Sequence, residues 1–186
     1  MSSMRIVTTP MCDRILELAG ITDYIVSSNP DKINGDVVVT LSETLTSSKS
    51  IKIKLNTFSQ IDESIKKLSE IFKTTPLKYK MNKVEYSKNN NEKIKIKVYS
   101  NFLREIVEDM GFTIVQENFD YIVYPDYMKD KILGEIKDNV RAVEVPSHKN
   151  VPVDPIKRAE MRYNILEKSL CTKHWHILVE FTNMKR

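Results

Sequence analysis

The chain has 186 residues, 41% hydrophobic and 29% charged, which is the composition of a folded globular protein with one large domain or two small lobes. A net charge of +4 from 29 basic and 25 acidic residues is a mild lysine excess and argues against nucleic acid as the main partner. Two cysteines exclude a disulfide scaffold, four glycines exclude a glycine-rich phosphate loop, and no apolar run reaches the ~18 residues that span a bilayer.

Met4 to Thr8 reads as a buried strand, with Thr9 as a helix N-cap and Pro10 as the first helical residue. Ile15, Leu16, Leu18 and Ala19 give that helix a core face, and Gly20 suits its end. Asp23 to Ser27 reads as a short strand. The β-branched run Asp36 to Leu41 predicts a central strand covered on both faces. Ile51, Ile53 and Leu55 alternate with Lys52 and Lys54, the pattern of a strand with one wet face. Ser59 is placed to cap a helix whose apolar positions are Ile61, Ile65, Leu68, Ile71 and Phe72. Residues 74–92 break the pattern, with a short strand predicted at Val84 to Tyr86 and a polar loop at Lys88 to Glu92.

The second half restarts with strand Lys93 to Val98 and a helix over about 101–110. Strands follow at Phe112 to Val115 and Tyr121 to Tyr124, then a helix over about 127–138 and strand Arg141 to Val145. Asp154-Pro155 opens another helix, and His174 to Phe181 reads as a last strand. Arg5 to Thr22 and Lys97 to Thr113 share one plan of strand, capping residue, helix and glycine, with Gly20 and Gly111 standing 91 positions apart. The expected fold is therefore α/β with a layered, mostly parallel or mixed sheet; two Rossmann-like repeat lobes would explain the repeat, and one continuous mixed sheet would do so nearly as well. The lobes are expected at 1–75 and 93–186, joined by the polar connection 76–92.

Four groups of residues could carry chemistry. With Thr9 as N-cap, Cys12 would face free backbone amides at the positive end of a helix, which favours a thiolate. Its competing reading is a small buried packing residue. The repeat places Leu103 at the equivalent position, and Leu18 stands where a phosphatase-type loop needs an arginine. Cys171, His174 and His176, with His148 in a proline-flanked loop, have the donor types of a transition-metal site or of one half-exposed strand face. Arg158 and Arg162 lie four apart, suited to clamp a phosphate or carboxylate or to form a solvated face. The lysines at 52 and 54 and at 93, 95 and 97 read as guards against strand pairing at a sheet edge. Thr8 and Ser42 follow predicted strands and are placed to line a cleft at the sheet's carboxyl end.

Two family resemblances extend this reading. Arg5-Ile6-Val7 with Pro10, Ile15-Leu16 to Gly20, Asp23 to Val26, Asp36 to Val39 and the helix of Ile65, Leu68 and Ile71 follow in the order of one lobe of the helical-backbone metal receptor fold. That resemblance covers residues 5–73 and implies a lobe of a receptor for cobalamin, haem or iron chelates. This sequence departs from that family in its length and in lacking a signal-peptide h-region, so a cytoplasmic location is expected. Thr9-Pro10-Met11-Cys12-Asp13 is similar to a stretch of McrC, the operon protein C of methyl-coenzyme M reductase. The length and the Lys, Ile and Asn usage resemble the small methanogenesis marker proteins, marker protein 17 among them. This second resemblance implies an accessory subunit of the ATP-dependent activation of that reductase, with other protein subunits as partners and no catalysis of its own. The alternative is a small ligand- or metal-binding protein or thiol-dependent enzyme. Neither reading specifies a cofactor.

Overall fold

A computed structural model describes residues 4–82, 88–132, 134–136 and 139–170. The chain divides into two compact units, Met1–Lys83 with Pro152–Ala159, and Val84–Val151 with Glu160–Arg186. No helix among the described residues is long and apolar enough to cross a membrane.

The first unit contains β1 (Ile6–Thr8), α1 (Asp13–Leu18), β2 (Ile25–Val26), β3 (Val37–Leu41), β4 (Ser50–Ile53) and α2 (Phe58–Phe72). The strands form one sheet in the order β2-β1-β3-β4, and every pair is parallel. Val7 lies opposite both Ile25 and Val38, and Thr40 opposite Lys52. β1 and β3 are interior strands covered on both faces, which is why their sequences run continuously apolar. Ile15, Leu16 and Leu18 of α1, and Ile61, Ile65 and Leu68 of α2, are buried. Each such side chain contributes about 1.5–3 kcal/mol through burial.

The second unit contains β5 (Lys95–Val98), α3 (Asn101–Asp109), β6 (Thr113–Ile114), β7 (Tyr121–Pro125), α4 (Lys129–Ile132) and β8 (Arg141–Val145). Its sheet runs β6-β5-β7-β8, again all parallel. This is the strand order of the first unit, so the repeat seen in the sequence is a repeat of topology. Gly20 and Gly111 close the equivalent helices with φ of 78° and 81°, a left-handed conformation open to glycine at little cost. A Cβ on Gly20 would also lie 2.2 Å from the Thr75 carbonyl oxygen. The last helix, α5 (Pro155–Leu170), places its first turn in the first unit and its remainder in the second.

Several local expectations change. α1 starts at Asp13, because the Cys12 amide donates to Thr9 O at 2.9 Å and closes a turn first. The cap of α2 is Thr57, not Ser59: its hydroxyl accepts from the Gln60 amide while the Gln60 side chain accepts from the Thr57 amide. Residues 88–93 form a 3-10 helix rather than a loop, anchored by buried Asn91, whose Nδ2 donates to Met110 O at 2.8 Å. The helix expected over 127–138 is a 3-10 turn at Asp126–Met128 followed by α4. The strands expected at Val84 to Tyr86 and at His174 to Phe181 lie outside the described residues. β5 is an interior strand, so Lys95 and Lys97 do not guard an edge.

Candidate functional site

Cys12 sits at the start of α1, directly after β1, and is fully buried. Thr9 Oγ1 donates to its Sγ at 3.5 Å. Burial pushes the thiol up to about 11, against the Thr9 hydrogen bond and the charge of Arg158; Glu43 adds to the rise. A thiolate is therefore disfavoured, and Cys12 behaves as a packing residue like its repeat counterpart Leu103, which is equally buried. Thr8 is buried too, donating to Val39 O at 3.0 Å.

Arg158 and Arg162 form no solvated face, since both are buried. In the first unit, Arg158 Nη1 donates to Pro152 O at 3.3 Å and Val153 O at 3.1 Å and touches Met11 Sδ at 3.6 Å. In the second unit, Arg162 Nε donates to Pro146 O at 3.2 Å and its Nη2 to Ser147 O. The Arg162 guanidinium stacks 4.5 Å from the Phe102 ring centre. Each arginine braces the loop ahead of α5.

The loop braced by Arg162 carries His148, the one member of the histidine-cysteine group that is described. Cys171, His174 and His176 lie outside the described residues. Among the described residues, no group of three or more His, Cys, Asp or Glu is placed to hold a metal ion. His148 instead borders a cavity of about 460 Å³ with Asp126, Tyr127, Ser147 and Lys149. Asp126 follows β7 directly and Ser147 follows β8 by one residue, so the cavity opens at the carboxyl end of parallel strands.

Asp126 ties the two loops together. Its Oδ1 accepts from the Ser147 hydroxyl at 2.6 Å, the Ser147 amide at 3.2 Å and the Tyr127 amide at 3.0 Å. Burial alone would raise its pKa, but the bonds from Ser147 and Tyr127 and the charge of His148 outweigh it and hold the carboxyl below its ordinary range. The floor of the cavity is thus a fixed carboxylate. Exposed Tyr127, His148 and Lys149 form the rim. The sequence singles out His148 as a metal donor and not as part of this cavity, and it does not single out Asp126, an aspartate placed immediately after a buried strand.

No family model matches this chain, and no curated protein does. Among solved structures, a Zn(II)-bound histidine-to-alanine variant of AdcAII from Streptococcus pneumoniae is similar over 90% of this chain and 98% of that one, at 13% identity and a TM-score of 0.49. The metal-dependent lipoprotein YcdH from Bacillus subtilis is similar over 90% and 99%, at 12% identity and a TM-score of 0.46. The α/β class of this chain rests on its own strand order. The likeness of Thr9 to Asp13 to McrC finds no support in these comparisons.

Lys52 of β4 and Lys54 just after it border a second, smaller groove of about 260 Å³ with Gln60, Glu63, Ser64 and Lys67. Lys67 Nζ donates to Lys52 O at 3.0 Å and Ser64 Oγ to Lys54 O at 2.9 Å. Lys52 Nζ donates to Thr44 O. These bonds cover the Lys52 carbonyl of β4 and the Lys54 carbonyl just past it, so α2 protects the sheet edge and the groove is built for structure.

Proposed function

We propose that this protein binds a small polar ligand at the carboxyl end of its second sheet. The cavity between the β7 and β8 loops supports the reading. Ligands of open parallel α/β sheets bind at that end of the strands. A volume of about 460 Å³ lies within the ~300–1,000 Å³ of small-molecule sites. The walls combine an aromatic side chain with a few convergent polar groups on loops held rigid from behind by Asp126 and Arg162. Among the described residues, no serine–histidine pair stands in hydrogen-bond register there, because the buried Ser147 hydroxyl donates to Asp126, which it helps to fix, and not to His148. Binding, not turnover, is the function this arrangement supports.

The test is amide chemical-shift mapping on isotope-labelled protein titrated with organic acids, amines, amino acids and sugar phosphates. Saturable shifts at Tyr127, Ser147, His148 and Lys149 are expected. Shifts that cluster elsewhere, or none with any compound, overturn the reading.

A further inference from the structure

The charges around this cavity have a definite pattern. Its floor carries one carboxylate, Asp126, whose three hydrogen bonds from the described residues all fall on Oδ1, so that none of them reaches Oδ2. Its rim carries two nitrogen donors, His148 and Lys149, and the ring of Tyr127, which is 63% exposed. A simple anion would meet the Asp126 carboxylate. A simple cation would meet Lys149. A ligand with both charges a few ångströms apart satisfies floor and rim together.

We propose that the ligand is a zwitterion of the α-amino acid type, its ammonium on Asp126 Oδ2 and its carboxylate on Lys149 and His148. The Tyr127 ring gives the ligand's side chain an apolar wall. Charge-assisted bonds on both ends supply affinity, and the requirement for both charges supplies selectivity. This rests on the binding reading above and adds the ligand's chemical class.

The experiment is a titration by calorimetry and amide shifts with L-amino acids, their methyl esters and their N-acetyl derivatives. Removing one charged partner of a bond worth ~1.5–3 kcal/mol weakens binding roughly 10–100-fold. Esters and N-acetyl derivatives should each lose that factor. Asp126→Asn should cost a similar factor, and so should Lys149→Met, which alters only an exposed side chain and leaves the fold intact. Equal affinity for an amino acid and its N-acetyl derivative overturns the zwitterion. So does binding of organic acids, amines or sugar phosphates at Tyr127 and Ser147 with amino acids inert, although the binding reading then survives. Silence from every compound at these residues overturns both.

Discussion

At Cys12 two effects of helix position oppose each other. A helix start favours a thiolate by fractions of a kcal/mol, whereas removing the thiol from water disfavours it by more. Burial wins here, and the thiol titrates near 11 instead of its ordinary 9.0. The unfolded chain therefore ionises first as pH rises. The contribution of Cys12 to stability is complete below pH 9 and is lost between about 9 and 11, by ~2–3 kcal/mol. Urea titrations of wild type and Cys12→Ala should diverge below pH 9 and converge above it; parallel curves across that range would contradict the burial argument. The sequence disclosed this site well, because Leu103 at the equivalent repeat position already marked it as core. It disclosed Arg158 and Arg162 poorly. Helical spacing shows which residues share a face, but not that a distant loop will lay its carbonyls over them.

Elements were legible where one local signal dominates. The apolar spacing of Ile61, Ile65 and Leu68 fixed α2, and the continuous run Val37 to Leu41 fixed β3 as interior. Boundaries followed finer chemistry. Thr57-Phe58-Ser59-Gln60 holds two hydroxyl residues that could cap, and only Thr57 stands three residues before a glutamine able to return the bond. Thr57→Ala should cost about 1 kcal/mol in chemical unfolding, whereas Ser59→Ala, inside the first turn, should be near neutral. The reverse order would restore Ser59 as the cap. Beyond such motifs, long-range contacts decide. Asp31 is held near a pKa of about 2 by the Thr46 and Ser48 hydroxyls and the Ser47 and Ser48 amides, which pin the loop between β3 and β4. No spacing rule connects residues so far apart. The candidate site shows the same limit, since Asp126 and Ser147 meet only because β7 and β8 are neighbours in register.

The described residues repeat one parallel four-stranded plan, and those of α5 are divided between the two units. From α5, the first unit takes Ile156, Arg158 and Ala159, and the second takes Tyr163, Leu166 and Leu170. The three residues of the second unit are fully buried, and Tyr163 also donates to Asp109 at 2.6 Å. At ~1.5–3 kcal/mol per large apolar side chain, their loss approaches the ~5–15 kcal/mol that holds a domain folded. The first unit loses less, because Ala159 is small and Arg158 mainly braces its own loop. A chain ending at Val151 should therefore show uneven damage in hydrogen exchange, measured against a chain ending at Leu170 that keeps α5. Amides of Ile96, Ile122 and Val123 should lose protection, whereas those of Val38 and Val39 should keep most of theirs. Intact protection of the second sheet without α5 would mean that the helix is an appendage and that each copy of the repeat closes its core unaided.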